Sequence, residues 1–366
     1  MAWLTHRAVS GVLVSLGILL SVVSCAQDDQ TGAAETAYQL RMDGKLDEGV
    51  KILEEALEKD PDYAAGHFEL SRSKVHMALG KPRQIEGLLD EAQLSIDRAI
   101  TLKADNAAYA YYAGNLGFLR AFLGLQTGRP DAGETVVHCC EAFEAALRLE
   151  PEYPEAMLHL IEIYGLLPEE VGGDSAKARS YLAEAEQIDK VHATKARSVL
   201  GEVGVEEWSA MLNLHPGRAD VLAELGRAYL YEEDWEKAGE FFEDAVKLDP
   251  RQADLFLDLG RYHIMHLMRL SRSEDQGSMP THLAGAEEAI GRYLELDHPA
   301  PLEAYALSML ARVKHGAGEE QESIRLKEEA EALDPYHSRA TGGPSQVLFA
   351  PVGQIVHDHR YLMRPF

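Results

Sequence analysis

The chain has 366 residues and carries 35 Lys and Arg against 61 Asp and Glu, a formal charge of −26. So acidic a surface argues against nucleic acid, whose phosphates need clustered Lys and Arg, and against adsorption onto anionic lipid head groups. With 46% hydrophobic and 26% charged residues the composition is that of a folded chain. The length is large for one compact core but suits an array of units that bury their apolar faces on one another. The excess of acid either keeps an exposed helical array soluble or presents a face to a basic partner.

Residues 1–24 read as a targeting segment. Arg7 is their only charged residue, and a dense apolar run follows through Val12-Leu13-Val14 and Ile18-Leu19-Leu20. The run is short for a bilayer span and has the length of a secretory h-region. It ends in Val22-Val23-Ser24-Cys25, which resembles the lipobox of bacterial lipoproteins. That resemblance implies cleavage before Cys25 and acylation of its thiol; an uncleaved anchor and an ordinary signal with a chance Cys are the alternatives. Ala26, where some lipoproteins have Asp, implies by analogy the outer membrane, with the chain facing the periplasm of a bacterial cell envelope. Residues 25–32 are small and polar and read as a short tether.

From 33 to 340 the sequence repeats. Between Ala219 and Pro250 stand Leu222, Leu225-Gly226, Tyr229, Ala238, Phe242, Ala245 and Asp249-Pro250. Small Gly226 and Ala238 belong where two helices approach closely, larger residues fill the space between pairs, and Asp-Pro ends the second helix. The spacing resembles the tetratricopeptide (TPR) repeat. Fainter copies of the second helix occur at Leu53/Ala56, Ala92/Ile96/Ala99, Phe143/Ala146, Ala178/Leu182/Ala185, Ala286/Ile290 and Ala330/Leu333. The stretch 193–216, with Trp208, is short and degenerate. The resemblance implies an all-α, right-handed α-solenoid of about eight antiparallel helix pairs.

Three units carry extra residues between their helices: Met77 to Asp90, Leu116 to Glu134 and Met265 to Thr281. The apolar runs Leu116-Gly117-Phe118-Leu119 and Leu267-Met268-Arg269-Leu270 predict longer first helices, then loops at Gly128-Arg129-Pro130 and Ser271 to Pro280. Leu166-Leu167-Pro168 followed by Gly172-Gly173-Asp174-Ser175-Ala176-Lys177-Ala178 resembles a phrase of periplasmic TPR lipoproteins, including accessory subunits of TRAP-type solute transporters. A tight Gly-Gly turn with Asp174 or Ser175 as helix cap explains the same residues. Beyond Gly342-Gly343-Pro344, residues 341–366 lose the helical period. This irregular tail is apolar enough to dock on the helices.

Cysteine and histidine give little chemistry. Cys139 and Cys140 are adjacent, and Cys139 falls where the repeat wants a small core residue. His263 and His266 share a helix face, and His357 and His359 flank Asp358, with no third ligand nearby in sequence. Neither set makes a metal site, and no cofactor signature, phosphate loop or nucleophile elbow is present. The chain reads as a non-enzyme.

The first helix of each pair lines the concave face of such arrays. Arg72, Arg227 and Arg261 fall in one slot of three units; Tyr231 lines the same unit as Arg227, and Tyr111 and Asn115 line the third unit. These six residues are the candidate groove. A guanidinium fork suits a carboxylate, so a peptide, a small carboxylate ligand or the chain's own tail fits there; alternatively, each Arg pairs with a neighbouring Asp or Glu. The favoured reading is a lipid-anchored scaffold for a protein partner. The alternative is an accessory of a TRAP-type transport system that binds a small organic acid or hydrophobic ligand.

Overall fold

The structure is a computed structural model and describes residues 32–273, 277–340, 348 and 351–354. The signal, Cys25, His357 and His359 lie outside those residues. Sixteen helices form eight consecutive antiparallel pairs, and no strand occurs among the described residues. The pairs are α1 (32–42) with α2 (Leu46–Lys59), α3 (Ala64–Gly80) with α4 (Ile85–Leu102), and α5 (Ala107–Thr127) with α6 (Ala132–Leu149). Next come α7 (Pro154–Leu166) with α8 (Ser175–Ile188), and α9 (Lys190–Val199) with α10 (Val205–Leu214). The last are α11 (Ala219–Tyr231) with α12 (Trp235–Leu248), α13 (Leu255–Leu270) with α14 (Met279–Leu294), and α15 (Ala300–Gly316) with α16 (Glu320–Leu333). None of the described helices is long and apolar enough to cross a membrane.

Close approach inside a pair explains the small residues. A Cβ on Gly226 would meet the Phe242 ring at 2.5 Å, and one on Gly114 would meet Phe143 at 2.6 Å. A side chain at either place would force the helices apart and open the space that Phe now fills. Cys139 packs against Gly117 and its Sγ donates to the Gly114 carbonyl, 3.2 Å away. Cys139 and Cys140 are free and buried. The two helix sets differ in how much of their circumference is covered. The second helices bury one stripe, such as Ala238, Phe242, Ala245 and Val246 of α12. The first helices are covered on nearly every side, as α5 and α7 show, because they sit between their own partners, the neighbouring pairs and the inside of the array.

The extra residues are placed partly as the sequence predicts. α5 and α13 are lengthened and a loop follows each. In the first of the three units, α3 stops at Gly80 and a short 3-10 turn, Pro82–Gln84, leads directly into an 18-residue α4. α3, with 17 residues against 13 in α7 and α11, is lengthened as predicted; Pro82 stops it from continuing, and the rest of the surplus lengthens the second helix at its start. The Gly172-Gly173-Asp174 phrase does local work. Gly172 adopts a left-handed φ of 103°, and the Asp174 side chain accepts from the backbone N–H of Ala176 and Lys177 to start α8.

The array closes on itself. The chain leaving α16 returns to α2 and α3: the Tyr336 hydroxyl donates to Asp47 at 2.7 Å, and His76 pairs with Asp334 at 2.8 Å, 258 residues away. A Cβ on Gly80 would strike the Tyr336 backbone at 2.5 Å, and one on Gly44 would strike the Leu333 carbonyl. Leu46, Val50 and Tyr336 make a small apolar cluster at the seam. Beside it lies a wholly buried ionic triad. Glu69 accepts from Arg41 Nε at 2.7 Å through one oxygen and from Arg72 Nε at 2.8 Å through the other. All three side chains have no solvent exposure.

Removing the shared carboxylate leaves two guanidinium groups in a dry interior. Glu69→Ala is therefore expected to lower stability by about 3–5 kcal/mol, read from urea unfolding at unchanged slope. Lys51→Ala, which removes an exposed i,i+4 partner of Glu55, is expected to change it by less than about 0.5 kcal/mol.

Candidate functional site

The closure changes what the concave face offers. Arg72 is fully buried, and its cation lies over the rings of Phe68 (4.7 Å) and Tyr38 (5.4 Å) as well as against Glu69. Tyr111 is buried, with its hydroxyl 3.1 Å from His159 Nε2, and Asn115 Nδ2 donates to the Tyr111 carbonyl at 3.0 Å. These three candidate groove residues are interior packing. Tyr111 is packed against the rings of Phe143, Tyr153 and His159. Leu348 is buried in the same cluster as Phe68 and Tyr109, and Val352 packs on its edge.

The second half differs. Arg227 and Tyr231 line a pocket of about 310 Å³ between α9, the loop after it, α10 and α11. It arises from the short pair: α9 and α10 have 10 residues each and leave the end of α11 uncovered. Trp208 forms its floor, fixed by a 2.7 Å hydrogen bond from Nε1 to Ser198 Oγ. Tyr231 stands at the mouth, 41% exposed. The volume is at the lower end of small-ligand sites, of the order of 300–1,000 Å³.

Glu224 and Arg227 of the pocket wall belong to a ladder of alternating charge that runs from α9 through α11 to α13. Lys195 contacts Glu224 (3.5 Å), Glu224 contacts Arg227 (2.6 Å), Arg227 reaches Asp258 (3.4 Å) and Asp258 reaches Arg261 (3.4 Å). Arg72, Arg227 and Arg261 each pair with an acid three residues earlier on the same helix. That pairing was visible as a repeated acid-x-x-Arg spacing. The link from Arg227 across to Asp258 was not, since it depends on how neighbouring pairs stack. Arg261, with its side chain 30% exposed, is the most accessible cation of the ladder.

Histidine proves more organised than its sequence positions suggest. His263 and His266 of α13 meet His282 of α14: the Nδ1 atoms of His263 and His282 are 2.9 Å apart, and the rings of His266 and His282 stack at 4.8 Å. Trp235 and Tyr262 close around His263. At the seam, His76, Asp334 and His337 converge and are all buried. The sequence paired His263 with His266, but neither His282 nor the approach of His76 to Asp334 and His337 is marked by a motif, because these partners come from separate elements.

These observations define a class: an all-α solenoid of helix pairs in which a small residue faces a large one inside several pairs, Gly114 on Phe143, Gly226 on Phe242 and Gly260 on Ile290. Residues 219–252, which span α11 and α12, match the tetratricopeptide repeat family, so the chain contains a TPR repeat within a TPR-like array of helix pairs. Such a fold supports an interaction scaffold. No curated protein matches the chain. Among solved structures it is similar to MamA, at 18% identity over 59% of this chain and 95% of that one, with a TM-score of 0.29. It is also similar to YrrB, described as a TPR protein with an unusual peptide-binding site, at 21% identity over 54% and 92% with a TM-score of 0.29. A tetratricopeptide repeat protein from Parabacteroides merdae shares 15% identity over 84% and 93%, with a TM-score of 0.34.

Burial pushes the His263 imidazole down to about 3, and the neighbouring His282 and His266 add to the effect. Glu233 acts in the opposite sense on His266 and His282. Folded His263 therefore stays neutral while the unfolded chain takes up a proton below pH ~6.5, so its contribution is present above that pH and is lost as pH falls toward 3. Stability is expected to drop by about 2 kcal/mol from this group between pH 7 and pH 5. His263→Phe should flatten that part of the slope in urea unfolding at the two pH values.

Proposed function

We propose that the chain is a lipid-anchored TPR scaffold that faces the periplasm and holds a protein or peptide partner at the pocket between α9–α10 and α11. The observation that carries this reading is the recess floored by Trp208 with half-exposed Tyr231 at its mouth. Its volume suits one bulky side chain of a partner. Its charged wall is already ion-paired, so an incoming group gains mainly from apolar contact, and aromatic anchors of this kind dominate protein interfaces. A membrane tether raises the effective concentration of the scaffold near envelope partners, so modest affinity suffices. The lipobox-like Val22-Val23-Ser24-Cys25 supports the anchor.

Two measurements test the two halves of the proposal. Tyr231→Glu is expected to reduce partner capture from envelope extract by about 30-fold, the loss of one aromatic anchor; undiminished capture would remove the pocket from the interface. Cys25→Ala is expected to abolish incorporation of labelled palmitate and to move the chain into the soluble fraction, whereas continued labelling would rule out Cys25 as the acylated residue.

The second reading is an accessory of a solute transport system, favoured by the presence of Arg227 in a pocket of small-ligand size. Native mass spectrometry of the form beginning after Cys25 separates the two. A co-purifying organic acid that disappears in Arg227→Ala supports transport, and an empty protein supports the scaffold.

A further inference from the structure

We propose that His76, Asp334 and His337 bind a single transition-metal ion of the Zn²⁺ class, which staples the last helix pair of the array to the second. The three donors come from separate places. His76 lies on α3, Asp334 caps the end of α16, and His337 opens the 3-10 turn His337–Arg339. One ligand atom from each lies within 4.8 Å of the other two, and none of the three side chains is exposed.

The carboxylate is oriented before any ion arrives. Asp334 Oδ1 accepts from the backbone N–H of Tyr336 (2.7 Å) and His337 (2.8 Å), which leaves Oδ2 facing His76 Nε2 at 2.8 Å. Backbone donors that hold a ligating carboxylate in this way are a common outer shell of metal sites.

The donor set selects the ion. Two imidazoles and one carboxylate oxygen suit Zn²⁺, Co²⁺ or Ni²⁺, with water in the fourth position. Ca²⁺ and Mg²⁺ require more oxygen ligands than the pocket supplies. The Arg41 guanidinium acts on both imidazoles and opposes any cation, and Glu69, bonded to Arg41, counters it in part. Binding must then rest on coordinate bonds rather than on net charge, which again disfavours hard cations.

The test uses the purified full chain, stripped of metal by a chelator under native conditions and titrated with Zn²⁺. The expected result is one Zn²⁺ retained per chain after desalting, and a thermal midpoint raised by a few degrees. His76→Gln, whose amide can still donate to Asp334, should weaken binding at least about tenfold, and His337→Ala should do the same. His263→Gln, in the other histidine cluster, should bind as the parent does. Co²⁺ in place of Zn²⁺ should give visible d–d bands in the parent chain, a readout that does not depend on any variant folding. A parent chain that retains no stoichiometric Zn²⁺ and shows no Co²⁺ bands, or a folded His76→Gln that binds as the parent does, would overturn the site and leave the seam as a hydrogen-bonded latch.

Discussion

The return of the last helix pair onto α2 and α3 is the constraint from which the rest of the structure follows. An open helical-repeat array has two terminal apolar faces that must be capped by polar surfaces. Here the ends cap each other: Leu46 and Val50 from one side meet Tyr336 from the other. The first helices of the early pairs are thereby turned into an interior. This is why α3 can bury Phe68, Ser71, Arg72 and His76 on different sides of one helix.

Burying charge is costly, and the inner face handles it by sharing carboxylates. Arg72, Arg227 and Arg261 each have an acid one helical turn before them, and the carboxylates are shared across helices: Glu69 between Arg41 and Arg72, Glu224 between Lys195 and Arg227, Asp258 between Arg227 and Arg261. Such pairs add little net stability over well-packed apolar residues, but breaking one is expensive. Their effect here is geometric. A carboxylate bridging α11 and α13 by way of Arg227 holds only if those helices keep one spacing and one rotation.

Much of the fold was legible because it is local. Gly226 facing Phe242, the Asp-Pro helix ends and the spacing of Ala and Leu in the second helices gave the eight pairs, and even the degenerate stretch around Trp208 is a pair of short helices. The longer α5 and α13 followed from apolar runs that continue past the ordinary helix length. Less was legible about the site. Arg72, Tyr111 and Asn115 lie on first helices and are buried; whether such a slot opens on a groove or on packed interior depends on curvature summed over eight pairs. No single repeat encodes that sum. The partners of His76 are 258 residues away, and the recess beside Tyr231 exists because a neighbouring pair is short. Both are properties of how units stack.

A closed array also fixes its own number of units. In an open solenoid a helix pair can be duplicated or lost with little effect on the others, since each touches only its neighbours. In this chain, one pair more or fewer would rotate and shift the end of α16 relative to α3, and Asp334 and Tyr336 would no longer find His76 and Asp47. A closed array therefore tolerates length variation inside pairs better than a change in repeat count. Inside pairs is where this sequence departs most from its own period, in α3, α4, α5, α6 and α13 and in the short α9 and α10.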